Sequence, residues 1–151
     1  LMRAIIQRVK HASVTIGGVR KSEIQQGLLV LLGIEAGDTA ADLDWMTKKI
    51  VQMRIFSDSE GKMNLSLQDV NGDLMVVSQF TLYASTQKGN RPSFLRSARP
   101  EHAIPIYEQL VAQMESITGK KVATGEFGAD MQVELLNDGP VTIFIDSQLR
   151  E

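Results

Sequence analysis

Three places in the chain bring together residue types that can do chemistry. The first is Leu74-Met75-Val76-Val77-Ser78-Gln79-Phe80-Thr81-Leu82-Tyr83. Its apolar start reads as a central strand with both faces covered, yet Ser78, Gln79 and Thr81 follow with no turn residue between. A buried polar group left unpaired costs about 1–3 kcal/mol, so this end is either satisfied by neighbouring backbone or open to a cleft. In sheets with helical crossovers, clefts outside the carboxyl ends of strands hold ligands. The second place runs from Ala84 to Pro100, where Lys88, Arg91, Arg96 and Arg99 occur without an acidic residue. It is either a solvated positive loop or a patch aimed at a few phosphates. Phe94 lies among these cations and either anchors the loop or stacks an unpaired base. The third is Gly139-Pro140, a turn by composition. Glycine lifts the usual limits on a pre-proline position, and a cis bond here would point two carbonyl oxygens the same way, a receptor for an ammonium group. Arg8, inside an apolar strand, is either snorkelling or edge-paired, or reaches into a site as a fixed donor.

Other catalytic arrangements find little support. The chain has no cysteine, which excludes disulfides, thiolate catalysis and thiolate metal sites. Its two histidines, His11 and His102, are flanked by what read as surface turns, a poor basis for a Ser-His-Asp triad. No helix carries metal-ligand spacing, so no metal is expected, and no Gly-rich phosphate loop is present. A net charge of −2 argues against nonspecific coating of a duplex, and no DNA partner is expected. The longest apolar block, Leu28-Leu29-Val30-Leu31-Leu32, is strand-sized, so no membrane association is expected. The amino-terminal residues lack a signal-peptide pattern, which makes a cytoplasmic location the expectation.

The elements that must position these residues form one domain over residues 1–151. Met2 to Ala12 reads as a first strand, and Ser13 to Ile16 and Val19 to Ile24 as a hairpin about Gly17-Gly18. Gly27 to Ile34 is a second buried strand. Thr39 and Asp42 resemble a capping box, opening a helix in which Leu43, Met46, Ile50 and Met53 recur to about Arg54. Met63 to Leu67 reads as a hairpin edge beside Leu74 to Tyr83. A helix with Ile104, Tyr107, Leu110, Val111, Met114 and Ile117 on its buried face starts at Pro100 with a kink at Pro105, or starts at Pro105, and ends at Gly119. Val122 to Phe127, Met131 to Leu135 and Val141 to Ile145 are strands, the last two separated by a turn at Asn137-Asp138-Gly139-Pro140. The order β-β-β-α-β-β-α-β-β-β predicts an α/β protein, a mixed twisted sheet with two main helices packed on it.

Ser78-Gln79-Phe80-Thr81-Leu82 together with Asn137-Asp138-Gly139-Pro140-Val141-Thr142 resemble the paired signature of the D-aminoacyl-tRNA deacylases. Met2 to Val9, Lys88-Gly89-Asn90-Arg91-Pro92-Ser93-Phe94 and Phe127-Gly128-Ala129-Asp130-Met131 are similar to further segments of that family, in order along nearly the whole chain.

The resemblance implies that family's fold and chiral proofreading: hydrolysis of the ester joining a D-amino acid, or glycine, to the terminal ribose of tRNA. It implies a homodimer in which Gly139 and Pro140, in cis form, enter the partner's site and hold the substrate's α-amino group. An L side chain would then strike this motif while a D side chain points away. Arg8 would brace the motif, with Met131 supporting the site. Backbone amides near Phe80 and Thr81 would stabilise an oxyanion, and Ser78 and Gln79 would position the terminal adenosine and ester. Thr81 is the candidate side-chain nucleophile but has no base beside it, which favours water assisted by the substrate's 2′-hydroxyl. Lys88, Arg91 and Phe94 would meet the 3′ end of the aminoacyl-tRNA, and no cofactor is implied. Two alternatives are a nucleic-acid-binding module without turnover and an editing deacylase for a mischarged L-aminoacyl-tRNA.

Overall fold

In the computed structural model, which describes residues 2–151, six strands form one mixed sheet against which two helices pack. In chain order the elements are β1 (Arg3–Ile16), β2 (Val19–Ile24), β3 (Gly27–Gly33), α1 (Ala40–Gln52), β4 (Phe56–Ser57), β5 (Met63–Leu65), β6 (Asp73–Ser78), a 3-10 turn (Phe80–Tyr83), α2 (Pro100–Thr118), β7 (Ala123–Thr124) and β8 (Gln132–Asp146). The sheet order is β2-β1-β3-β6-β7, with β8 on the other side of β1. β3, β6 and β7 run parallel, and each parallel step needs a long crossover, supplied by α1 and then α2. Among the described residues no helix is long and apolar enough to cross a membrane.

The alternation of β3 and β6 decides where the interior lies. Leu28, Val30, Leu32, Leu74 and Val76 face the helices, where Met46, Ile50, Leu110 and Met114 meet them. Leu29, Met75 and Val77 face the opposite way, into a second cluster with Val9, Ala12 and Val14. The apolar run is therefore covered on both faces, as its sequence requires.

Several boundaries differ from the sequence expectation. β1 is one continuous strand, because β8 pairs with it from Arg3 to Thr15 while β3 and then β2 share its other edge. His11 thus sits mid-strand and not in a turn, and His102 lies in the first turn of α2. Met63–Leu65 pairs with Phe56–Ser57 in a separate ribbon and not beside β6. β6 stops at Ser78, and the chain continues as the 3-10 turn where a strand to Tyr83 was expected. The strand expected over Val122 to Phe127 shrinks to Ala123–Thr124. Residues 137–140 do not reverse the chain, and β8 passes straight through them. α2 starts at Pro100 and runs through Pro105, which is exposed, so the carbonyl it leaves unpaired near the helix start meets water.

The expected cap at Thr39 is present in the form of an Asp42 that accepts from the Thr39 N–H at 3.0 Å. Asp42 also accepts from the Ser147 hydroxyl at 2.7 Å, and that hydroxyl accepts from the Met2 N–H at 2.9 Å. One buried carboxylate therefore joins the start of α1, the entry to β1 and the exit from β8. Burial alone would raise its pKa, but the hydrogen bonds from Ser147 and Thr39 outweigh burial and hold it below the usual carboxylate value. A lowered folded-state pKa stabilises the fold fully above the unfolded value of about 4, and that contribution fades as pH falls through the folded value. Asp42→Ala is expected to lower stability at pH 7 by about 1–2 kcal/mol and to flatten the loss of stability below about pH 4, read from urea unfolding at pH 7 and pH 3. An acid limb as steep as that of the unaltered chain would show that another group anchors this corner.

Candidate active site

The carboxyl end of β6 opens on a cleft because its ladder runs out there. The Gln79 N–H makes the last bond to β3, donating to the Leu32 carbonyl at 2.7 Å. The chain then tightens into the 3-10 turn, in which Leu82 N–H reaches back to the Gln79 carbonyl at 3.2 Å. The first two N–H groups of such a turn have no acceptor within it, and those of Phe80 and Thr81 find none among the described residues.

The turn is held from below by a clamp that the sequence did not disclose. Tyr83 is buried between two guanidinium groups, Arg3 at 4.8 Å and Arg96 at 5.6 Å from its ring. Arg3 also pairs with Asp146 at 3.1 Å and donates to the Leu82 carbonyl at 3.0 Å. Arg96 pairs with Glu35 at 3.2 Å. Burial, reinforced by the charges of Asp38 and Glu35, pushes the Tyr83 hydroxyl well above the ordinary phenol value, so it stays neutral and structural. Gly33 lies directly beneath: a Cβ there would come within 3.0 Å of Leu82 and Tyr83, so only glycine lets the turn sit this close.

The cleft itself has a volume of about 600 Å³, and Ser78, Gln79, Phe80, Phe94, Phe127 and Met131 are on its walls. The structure thus gathers five of the expected site residues from three distant segments. Phe80, 53% exposed, meets Phe94 edge to face at 5.0 Å, so Phe94 is both the loop's anchor and part of the wall. The Thr81 hydroxyl is exposed and accepts from the Gln79 amide. Met131 sits against Gly125, where any side chain would displace it. Of the basic loop, Arg99 reaches the cleft wall, whereas Lys88 and Arg91 stand exposed beyond the paired Ser85 and Ser93. Neither histidine lines the cleft, and no cluster of three or more metal-ligating side chains occurs among the described residues.

Gly139 and Pro140 lie elsewhere on the chain. In the β1–β8 ladder Asn137 faces Val9 and Thr142 faces Gln7, so residues 138–141 stand opposite Arg8 alone and bulge outward. The Asn137 side-chain oxygen closes the base of this bulge, accepting from the Val141 N–H at 2.8 Å, while Val141 is buried in the core. The Gly139-Pro140 peptide is cis, and both residues are exposed. Arg8 is neither snorkelling nor facing a cleft. It donates to the Asp138 carbonyl at 2.9 Å and the Ile55 carbonyl at 2.7 Å, and lies 3.7 Å from the Asp138 carboxylate. Gly139 has φ of 137°, and a Cβ there would come within 3.0 Å of the Arg8 guanidinium, so no other residue fits.

Fold, cleft and bulge together belong to a known class: the family model of D-Tyr-tRNA(Tyr) deacylase matches residues 5–146, and the chain is a member of that family. Among its relatives, a D-aminoacyl-tRNA deacylase of Flavobacterium johnsoniae is 61% identical over 150 residues, covering 99% of this chain and 100% of the relative. One of Bacteroides fragilis is 58% identical over the same shares. Of solved structures, one named c-Myc DNA Unwinding Element Binding Protein superposes with a TM-score of 0.90 at 41% identity, covering 95% of this chain and 97% of that one. A probable eukaryotic D-amino acid tRNA deacylase superposes at 0.81 over 95% and 98%, and at 17% identity that likeness concerns the fold alone.

Arg8→Lys, which keeps the charge but loses the planar fork, is expected to raise amide hydrogen exchange across residues 138–142 by about tenfold while leaving residues 78–83 unchanged. Equal exchange in both chains would mean that Asn137 alone holds the bulge.

Proposed function

We propose that the chain hydrolyses the ester of D-aminoacyl-tRNA, and of glycine mischarged onto tRNA, as a proofreading step of translation in the cytoplasm. Membership of the deacylase family carries this reading, and the unpaired Phe80 and Thr81 N–H groups beside a wide cleft are its chemical support. Water adds to the ester carbonyl carbon, the two N–H groups receive the charge that develops on the carbonyl oxygen, and the ribose oxygen departs with a proton. Water is the nucleophile because, among the described residues, the Thr81 hydroxyl has the Gln79 amide as its hydrogen-bond partner and no base bonded to it. The substrate's own 2′-hydroxyl assists it. Ser78 and Gln79 position the adenosine and ester, and Lys88, Arg91 and Phe94 meet the single-stranded 3′ end.

In this proposal the chain acts as a homodimer. The exposed Gly139-Pro140 bulge of one protomer enters the cleft of the other, and its two carbonyls take the α-amino group. Selection then works by exclusion: an L side chain meets the bulge and a D side chain does not, so many D-amino acids are accepted. The bracing by Arg8 suits a motif that must not yield.

A second reading, binding of nucleic acid without turnover, draws on the name of the 41%-identical solved structure and on the exposed Lys88 and Arg91. Incubation with D-tyrosyl-tRNA and L-tyrosyl-tRNA separates the two. Release of D-tyrosine alone is the expected result, release of neither favours the binding module, and an L-specific editing enzyme needs a mischarged L substrate to show itself. Thr81→Ala, which keeps the backbone N–H, is expected to hold turnover within about threefold of the unaltered chain, and an inactive variant would indicate a covalent intermediate. Because few phosphates are met, KM is expected to rise with salt with a log–log slope of about 2 or less, and a steep dependence would point to a long nucleic-acid footprint.

A further inference from the structure

We infer that Ser97 is a positioning residue for the deacylation, fixing through its hydroxyl the direction of the Thr81 N–H. The inference rests on the role proposed above for the Phe80 and Thr81 amides.

Its basis is the shared peptide plane. The Phe80 carbonyl and the Thr81 N–H belong to one planar trans unit and point in opposite directions, so whatever holds the oxygen also aims the hydrogen. The Ser97 hydroxyl donates to that carbonyl at 2.8 Å. A single 3-10 turn of four residues has poor hydrogen-bond geometry and is weakly held by its own bonds. It needs fixing from outside, and it is fixed at two carbonyls: Leu82 by Arg3 and Phe80 by Ser97.

Ser97 can serve as a fixed point because its own backbone is tied to another element. It forms a bridge with Glu35, and the next residue, Ala98, donates to the Ile34 carbonyl at 2.9 Å. The hydroxyl thus links the end of β3, through the segment preceding α2, to the first peptide of the turn. Ser97 is half exposed, where a hydrogen bond adds little to stability, so its use here is orientation. A donor that wanders from the developing oxyanion loses transition-state stabilisation and leaves ground-state binding intact.

The test is kinetic, on the full chain with D-tyrosyl-tRNA. Ser97→Ala is expected to lower kcat by about tenfold with KM within about twofold, and Ser97→Thr, which keeps the hydroxyl, to restore kcat to within about threefold. Should Ser97→Ala fold poorly, Ser97→Cys keeps the volume with a weak donor and is expected to show the same kcat-only loss. A kcat within about twofold of the unaltered chain for both, or a loss that Ser97→Thr fails to restore, overturns the inference. An ester in place of the Phe80-Thr81 amide removes the N–H itself and separates the two levels. If that ester chain keeps full kcat, the oxyanion role fails and the role of Ser97 with it. If it loses about a hundredfold while Ser97→Ala loses nothing, only the role of Ser97 fails.

Discussion

Beyond Gln79 the sixth strand has nothing left to pair with. Its parallel neighbour ends at Gly33, and the Gln79–Leu32 bond is the last rung of their ladder. A backbone that leaves a sheet must settle its polar groups locally, and this one does so in a 3-10 turn whose geometry leaves two N–H groups without an internal acceptor. In the proposed hydrolysis those two groups receive the negative charge that develops on the ester carbonyl oxygen. The rest of the molecule holds that turn still. Tyr83 is wedged between two arginines beneath it, Gly33 lets it sit against the end of β3, and the segment before α2 closes over its edge.

The chemistry that results has an unusual economy of side chains. No titratable group on the cleft wall needs to change its protonation state for the proposed hydrolysis. Tyr83, the ionisable residue of the turn itself, is held neutral by burial and by the carboxylates around it. In that proposal rate enhancement depends on placement more than on acid–base strength, and small displacements of peptide planes matter. The same holds for the selectivity proposed for the bulge. A glycine that no other residue can replace, pressed against a braced arginine, makes the outward bulge of β8 a stiff edge. Exclusion by bulk requires stiffness, because a soft obstacle would yield to the wrong mirror image.

Legibility in the sequence followed the range of the physics. Local rules spoke clearly: the helix over Ala40–Gln52 and its Thr39–Asp42 start, the covered faces of β3 and β6, and the hairpin about Gly17-Gly18 were all readable from residue type and spacing. Motif resemblance singled out Ser78 to Thr81, Phe94, Met131 and Gly139-Pro140 without saying which of them meet in space. What failed depended on pairing partners. Leu82 and Tyr83 alternate well enough to prolong a strand, but no neighbouring strand extends that far. Asn137-Asp138-Gly139-Pro140 has the composition of a turn, but β1 continues alongside and carries β8 past it, so the surplus residues bulge where a turn would have reversed the chain. Ser97 gave no signal, since a lone serine in a loop has no period or spacing to betray it. Arg96 stood out only as one cation of a basic stretch, with nothing to show that it and Arg3 would flank Tyr83.

The amino-acid sequence by itself determined the class of fold, the family and the residues that are candidates for the site, because hydrophobic period, capping and contiguous motifs act over a few residues. Only the tertiary structure decided which of those residues meet. It brought Ser78, Phe94 and Met131 to one cleft and left Gly139-Pro140 of the same chain off its walls, in a bulge braced by Arg8. The physical reason is that a strand's neighbours, and hence where its ladder ends and where its surplus residues go, are set by long-range packing that no local stretch encodes.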